Sequence, residues 1–376
     1  MKKIKILYNI LKIDEISLLK RSLKTLNKTG DTIRIEPFKR YGFSGAVILL
    51  VHFTQKGGVP FILKIHDKKS IEREYEAIQE LNAYYTDTSS IKKPIYGTTK
   101  GVLIYNYFSS DGKLDSKTFE DLIYTDKVDE TYALEILNTL YFKNINTAYS
   151  ELKTQKVNWL QNYEWYLRKY ESENTINIAL NLKGDIEHVV LNNYKFINPI
   201  LFLKKLDFDE KLNLGPIHGD LHANNIVISE ANKPHLIDFA WATKKKHHVL
   251  IDFTLMECSL RFALLPKYLC NELVISLDKK LSCFSNPIDC SSCELKQINE
   301  KSINQKYICQ CCKMVKEIRS HAKSIYKNDD LFNKHYSISL YIMLFGLVQY
   351  PQYLKERCIL NLGFLSNEIK NFIESD

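Results

Sequence analysis

Apolar positions Ile16, Leu18, Leu19, Leu23 and Leu26 recur at helical spacing and stop before Gly30, which predicts a short amphipathic helix over residues 15–28. From Thr32 the period changes to two. Ile33 and Ile35 alternate with polar residues, and the turn Tyr41-Gly42-Phe43-Ser44-Gly45-Ala46 leads into a β-rich run, Val47 to Phe53. Lys56-Gly57-Gly58 makes a second turn before the strand Phe61 to Ile65. Residues 70–84 return to helical spacing, with Ile71, Tyr75, Ile78 and Leu81 on one stripe, and Val102 to Tyr107 reads as a further strand. The chain thus divides into an N-terminal helical extension (1–31), a small β-rich unit with one helix (32–108) and a long, mostly helical remainder (109–376). In that remainder Leu160, Tyr163, Leu167 and Tyr170 form a stripe read as core packing. Two short strands, Ile226–Ile228 and His235–Ile237, flank a turn at 230–233. No internal repeat or low-complexity tract is visible.

Composition narrows the class. With 45% apolar and 26% charged residues in 376, and only 13 Gly and 9 Pro, the chain is neither disordered nor linker-rich. The net charge of +8 permits an anionic partner without demanding one. The apolar stretch at the start is broken by Lys5, Asn9 and Lys12, and no small-residue cleavage site follows. The run Leu340 to Val348 is too short to span a bilayer. A soluble cytoplasmic protein without membrane contact is expected. Nine cysteines, an odd number, argue against a simple secreted disulfide framework.

Candidate chemistry is concentrated in residues 217–239. Ile-His-Gly-Asp-Leu-His-Ala-Asn-Asn-Ile-Val-Ile (217–228) is followed by Leu-Ile-Asp-Phe (236–239). Phosphoryl transfer needs an oriented acceptor hydroxyl, Mg²⁺ clamped on the triphosphate and neutralised charge on the transferred group. Asp220, on a loop, can accept a hydroxyl's hydrogen bond. Asn225 and Asp238 are hard oxygen ligands suited to Mg²⁺, and the strand–turn–strand between them brings them back together. Upstream, Lys64 sits in a strand where its side chain can reach phosphates. Glu74, on the predicted helix, can orient it, with Glu72 and Glu76 as alternatives on other faces. Ser44, Gly45 and Ala46 lie between two strands, where small residues let backbone N–H groups approach phosphate oxygens, although no G-x-G-x-x-G is present.

This set resembles the protein-kinase-like phosphotransferases of the aminoglycoside phosphotransferase and choline kinase type, with their His-Gly-Asp-x-x-x-x-Asn loop followed by Ile-Asp-Phe. Gly-Phe-Ser-Gly-Ala-Val (42–47), Leu-Lys-Ile (63–65), Ile71 with Glu74-Tyr75, His-Gly-Asp-Leu-His (218–222) and Asp-Phe-x-x-x-Glu (252–257) look more narrowly like the ternary complex-associated kinase-like domains of bacterial conflict systems. The resemblance implies an α+β, two-lobed kinase-like fold. In it Asp220 would be the catalytic base, Asn225 and Asp238 the Mg²⁺ ligands, and Lys64 the α/β-phosphate contact held by Glu74. His218 would brace the loop and Asp252 would anchor it from downstream. Tyr105 to Phe108, including Tyr107, would form the hinge along which adenine lies. Only 13 residues separate Asp238 from Asp252, which leaves no room for a long activation segment. That favours a small-molecule acceptor or an unusual protein one.

Six cysteines fall between 283 and 312. Cys290-x2-Cys293, then fifteen residues, then Cys309-x2-Cys312 matches four-thiolate zinc spacing, with Cys283 and Cys311 able to replace a ligand. A structural zinc stapling an insertion in the helical lobe is expected. The other three cysteines read as buried thiols. Three functions remain in view. The first is an ATP- and Mg²⁺-dependent phosphotransferase acting on a hydroxyl-bearing acceptor. The second is a nucleotide-binding, pseudokinase-like signalling module with a protein partner. Nucleic-acid binding ranks lowest, because the lysines near the cysteines are not interleaved with an aromatic platform. Lys244-Lys245-Lys246-His247-His248 is either a solvated loop or an attractor of anionic substrate at the cleft mouth.

Overall fold

A computed structural model describes residues 11–26, 33–37, 45–53, 61–81, 84–85, 91–106, 117–125, 130–182, 186–229, 233–284 and 303–374. Ser44, Tyr107, Cys290 and Cys293 lie outside them. The N-terminal lobe is an antiparallel five-stranded sheet with two helices. Helix α1 (Ile13–Leu26) precedes β1 (Ile33–Pro37), β2 (Val47–Phe53) and β3 (Phe61–Asp67). Helix α2 (Lys68–Leu81), β4 (Ile91–Tyr96) and β5 (Lys100–Asn106) follow, and the sheet order is β1-β2-β3-β5-β4.

Strand alternation decides what each face carries. Leu49, Val51, Leu63, Ile65, Val102 and Ile104 pack against Leu18, Leu19 and Leu23 of α1, so α1 covers one face of the sheet and shares its core. The register pairs Lys64 with Leu103 and Ile62 with Tyr105, which puts all four on the opposite face. There Leu103 and Tyr105 meet Ile71, Ile78 and Leu81 of α2.

The second lobe is mainly helical, with more β structure than its sequence suggests. Strand β6 (Lys117–Thr118) leads into α3 (Phe119–Leu122) and α4 (Glu130–Asn138). Then come β7 (Lys153–Asn158), α5 (Trp159–Asn162), α6 (Glu164–Leu167) and α7 (Lys169–Leu180). The hairpin β8 (His188–Leu191) and β9 (Tyr194–Ile197) turns through Asn192 and Asn193, both at positive φ as a two-residue turn requires. Helix α8 (Pro199–Lys204), β10 (Asp209–Ile217), β11 (Ile226–Ile228), β12 (Pro234–Leu236) and β13 (Thr243–His248) complete the β part. Strand β10 lies between β7 and β13. The lysine-rich stretch is therefore a strand paired with β10 and not a loop. The predicted aromatic stripe is also corrected. Arg168 adopts a left-handed conformation (φ 35°) between α6 and α7 and breaks the phase, so Tyr163 and Leu167 are buried while Tyr170 is 81% exposed.

Helices α9 (Leu250–Cys258), α10 (Asn271–Leu281), α11 (Ile303–Lys323), α12 (Asp329–Leu347) and α13 (Lys355–Glu374) build the core of this lobe. A charge network crosses it. Arg319 donates to both Glu257 carboxylate oxygens (2.8 and 2.6 Å), Arg261 to Glu257 (2.6 Å), and Arg357 to both oxygens of Asp278 (2.6 and 2.9 Å). Glu257, Arg261 and Asp278 are fully buried, and Tyr336 adds a bond to Glu257 at 2.9 Å. Glu257 is the last residue of the Asp-Phe-x-x-x-Glu pattern, and its partners explain the acid there. Cys309 and Cys312 lie on α11, whereas Cys270 is exposed and not a buried thiol. Cys311 is completely buried, and its thiol is pushed up to about 11 by that burial, which makes it a poor substitute ligand. Among the described residues no helix is long and apolar enough to cross a membrane.

Removing one partner of a buried pair strands the other charge. Glu257→Gln should therefore lower the free energy of unfolding in denaturant by about 3–5 kcal/mol. A loss below about 1 kcal/mol would show that the network is not a main tie of the helical lobe.

Candidate active site

The site forms where the two lobes meet. Lys64, on the cleft face of β3, donates to Glu74 at 2.9 Å and to Asp238 at 2.8 Å. Glu74 is the buried acid of α2 (1% exposed), while Glu72 turns to the surface beside Lys68. Burial alone would push the Lys64 ammonium down, but Glu74 and Asp238 more than offset this and hold it above the ordinary lysine range. Burial pushes the Glu74 carboxyl up, against the pull of Lys64 and of the Tyr105 hydroxyl, which donates to it. The side chain of Tyr105 therefore orients Glu74 from the sheet.

Strand β10 delivers His218, Gly219 and Asp220 to the cleft. The buried carboxylate of Asp252, in the first turn of α9, accepts the His218 N–H at 2.8 Å on one oxygen and the Gly219 N–H at 2.8 Å on the other. Burial still raises Asp252 to about 7, because the two amides only partly replace lost hydration. His218 Nε2 donates to the Ile237 carbonyl (3.1 Å), which leaves Nδ1 to accept the Asp220 N–H (3.3 Å). Gly219 has φ +78°, and a Cβ there would run into the Trp241 carbonyl, so glycine is required twice over. Tyr166 fixes the same residue by donating to its carbonyl at 2.8 Å.

Asn225 Nδ2 donates to the Asp220 backbone carbonyl (2.8 Å) and to its carboxylate (3.2 Å). This turns the amide oxygen of Asn225 away from Asp220. The β11–β12 pairing continues into a bond from Ile237 N–H to the Asn225 carbonyl at 3.0 Å, which brings Asp238 beside Asn225. Asp238 holds φ +60°, a conformation costing a non-glycine residue about 1–3 kcal/mol that persists where the surroundings enforce it. Asp238 and Asn225 thus offer hard oxygens of the kind Mg²⁺ takes.

His222 is a site residue that sequence reasoning passed over. Its Nε2 lies 3.7 Å from Asp220. Burial opposes the Asp220 charge, but His222 outweighs it and keeps this carboxyl below the ordinary range. His222 itself moves up through the same pairing, against its own burial. Its place two residues after the Asp in His-Gly-Asp-Leu-His was the available signal. Gly45 is exposed at φ +70° with open space about it, so conformation and not crowding calls for glycine; Ala46 follows it, half-buried.

With this geometry in place, comparison with known proteins adds one family match. Residues 164–344 match the family model described as ternary complex associated domain 9. The match spans a little under half of the chain and includes His218, Asp220, Asn225, Asp238, Asp252 and Glu257. No curated protein matches the chain. Among solved structures, the chain is similar to choline kinase LicA from Streptococcus pneumoniae, with 12% identity, 96% of this chain and 97% of that chain covered, and a TM-score of 0.41. It is also similar to a glucosamine kinase (10%; 94% and 82%; 0.45) and to an aminoglycoside-3'-phosphotransferase of type VIII (11%; 78% and 98%; 0.39). The ternary complex-associated match lies in the second lobe.

Burial keeps His218 neutral by pushing it down to about 4 from 6.5, despite the pull of Asp220 and Asp238. Between those values the unfolded chain binds more protons than the folded one. The stability His218 contributes is therefore present above pH 6.5 and lost as pH falls through 4, up to about 3 kcal/mol. Asp252, raised to about 7 in the folded chain, shifts stability the opposite way over the same range, so the His218 part is read as a difference: in denaturant titrations from pH 7 to pH 4, wild type should lose up to about 3 kcal/mol relative to His218→Gln. No such difference between the two proteins would exclude His218 as its source.

Proposed function

We propose that the protein is an ATP- and Mg²⁺-dependent phosphotransferase that moves the γ-phosphate to a hydroxyl of its acceptor. The observation that carries this reading is Lys64, buried and shared by Glu74 of the first lobe and Asp238 of the second, a few residues in space from Asp220 and Asn225. In this reading Lys64 contacts the α/β-phosphates, and the backbone at Ser44, Gly45 and Ala46 approaches the phosphate tail. Tyr105 and Tyr107 flank the segment along which adenine lies. Asn225 and Asp238 hold Mg²⁺, which supplies charge neutralisation on the β- and γ-oxygens when bound.

Asp220 accepts the hydrogen bond of the acceptor hydroxyl and aims its oxygen in line with the γ-phosphate. Its lowered pKa suits orientation more than early proton abstraction, in keeping with a loose transition state. Asn225 and His222 hold that carboxylate in place, and Asp252 and His218 hold the loop. The short segment between Asp238 and Asp252 favours a small-molecule acceptor or an unusual protein one. The use of ATP fits the cytoplasmic location expected from the sequence. A second reading, a nucleotide-binding signalling module with a protein partner, is favoured by the ternary complex-associated match and by the ion pair that engages Asp238 with Lys64.

Purified protein incubated with γ-labelled ATP and Mg²⁺ against metabolite and protein acceptors should transfer label, and Asp220→Ala should reduce transfer by about 10²–10⁴-fold. Transfer that survives the substitution unchanged would overturn the assignment of Asp220. ATP binding with no transfer to any acceptor would favour the signalling module.

We also propose a structural zinc. Cys309 and Cys312 are three residues apart on α11 and so share a helix face, and Cys290 and Cys293 would complete a four-thiolate site. Freshly purified protein should carry about one zinc per chain, lost in Cys312→Ser. Wild-type protein without zinc would refute this part.

A further inference from the structure

Helix α2 carries Glu74 and must stay docked for Glu74 to reach Lys64. With 13 residues between Asp238 and Asp252, no long segment is present to pack beneath it. Helix α2 instead leans on the β13 region of the second lobe. Arg73, the exposed neighbour of Glu74, places its guanidinium 5.6 Å from the centre of the Trp241 ring. Trp241 lies three residues after Asp238, and its carbonyl is the group packed against Gly219, next to Asp220. Its ring is backed by Trp165 at 6.1 Å, which in turn meets His247 at 5.1 Å. Trp165 is 47% exposed, whereas Trp159 is fully buried. An aromatic group left half in water beside a catalytic loop calls for a reason.

We propose that Arg73 and Trp241 form a positioning pair, a cation–π clasp that ties α2 to the catalytic loop and thereby keeps Glu74 on Lys64. Adjacent residues of one helix then do complementary work. Glu74 faces inward to the lysine, and Arg73 faces across the lobe boundary to the backbone segment that fixes Gly219. The proposal rests on the phosphotransferase reading only for what the Lys64–Glu74 pair does; the clasp itself is a property of the fold.

Two readouts separate the two ideas. The first is hydrogen–deuterium exchange of residues 68–81 in the full chain, which needs no activity. An exposed cation–π contact supports roughly a two- to five-fold change in equilibrium. Arg73→Met should therefore speed exchange of α2 by about two- to five-fold and leave α12 unchanged, while Arg73→Lys, which keeps the cation, should restore most of the protection. Arg73→Met combined with Trp241→Leu should be no faster than Trp241→Leu alone. The second readout is affinity for Mg²⁺-ATP, expected to weaken by a similar factor in Arg73→Met. Equal α2 exchange in wild type, Arg73→Met and Arg73→Lys would overturn the clasp. If wild-type protein binds no Mg²⁺-ATP, the nucleotide reading fails, and the exchange data still decide the clasp.

Discussion

A lysine ammonium left with 6% of its side-chain surface in contact with water cannot be tolerated without countercharge, and here the two carboxylates that neutralise it come from different lobes. That constraint organises the molecule. Glu74 is almost fully buried and is satisfied by Lys64 and by the Tyr105 hydroxyl. Asp238 keeps 32% of its side-chain surface exposed. Two carboxylates against one ammonium leave a surplus negative charge, and of the three groups only Asp238 opens to the cleft. The surplus therefore sits where a cation has access. Burial makes the pair hold the lobes together, and incomplete burial of one member leaves a place for chemistry.

The same logic accounts for the rigidity behind Asp220. Its loop is held by backbone groups: two amides on Asp252, one carbonyl on Tyr166, and van der Waals contact between Gly219 and Trp241. Such bonds leave little freedom to adjust, so Asp220 is aimed by the lobe's own packing. The buried network of Glu257, Arg261, Asp278, Arg319 and Arg357 lies further back and positions α9, whose first turn supplies Asp252. The route from helical core to the Asp220 loop is thus a single helix with an acid near each end.

What the sequence disclosed follows from which constraints are local. The gathering of Asp220, Asn225 and Asp238 was legible because the strand–turn–strand after Asn225 could be read from the sequence, and the β11–β12 pairing returns the chain to that loop. Lys64 and Glu74 were legible from strand and helix periodicity. Strand β7, Lys-Thr-Gln-Lys-Val-Asn, was not, because none of its residues is buried and they carry no apolar alternation. Strand β13, Thr-Lys-Lys-Lys-His-His, carries no apolar alternation either. Tyr170 was misplaced because Arg168 breaks the helical phase through a left-handed backbone, which nothing in the apolar pattern reports. Tyr105 shows a signal left unused. Two residues from Leu103 on one strand, it had to face α2, and its hydroxyl then had to find Glu74.

The pairing of His222 with Asp220 bears on how such a site would work. A group meant to strip a proton early is best served by a pKa near the working pH. Asp220 is pulled the other way, by His222 and by the Asn225 amide. A carboxylate held in this state is a poor proton acceptor and a good hydrogen-bond acceptor. In a loose transition state the attacking hydroxyl keeps its proton until bond formation is well advanced, so direction matters more than basicity. The arrangement around Asp220 suits that requirement: its position is fixed by Asn225, its charge is sustained by His222, and its loop is locked by Asp252. In the proposed reaction, electrostatic demand at the phosphates would be met elsewhere, by Lys64 and the oxygens of Asn225 and Asp238. Orientation and charge neutralisation would thus fall to separate residues, held by separate parts of the fold.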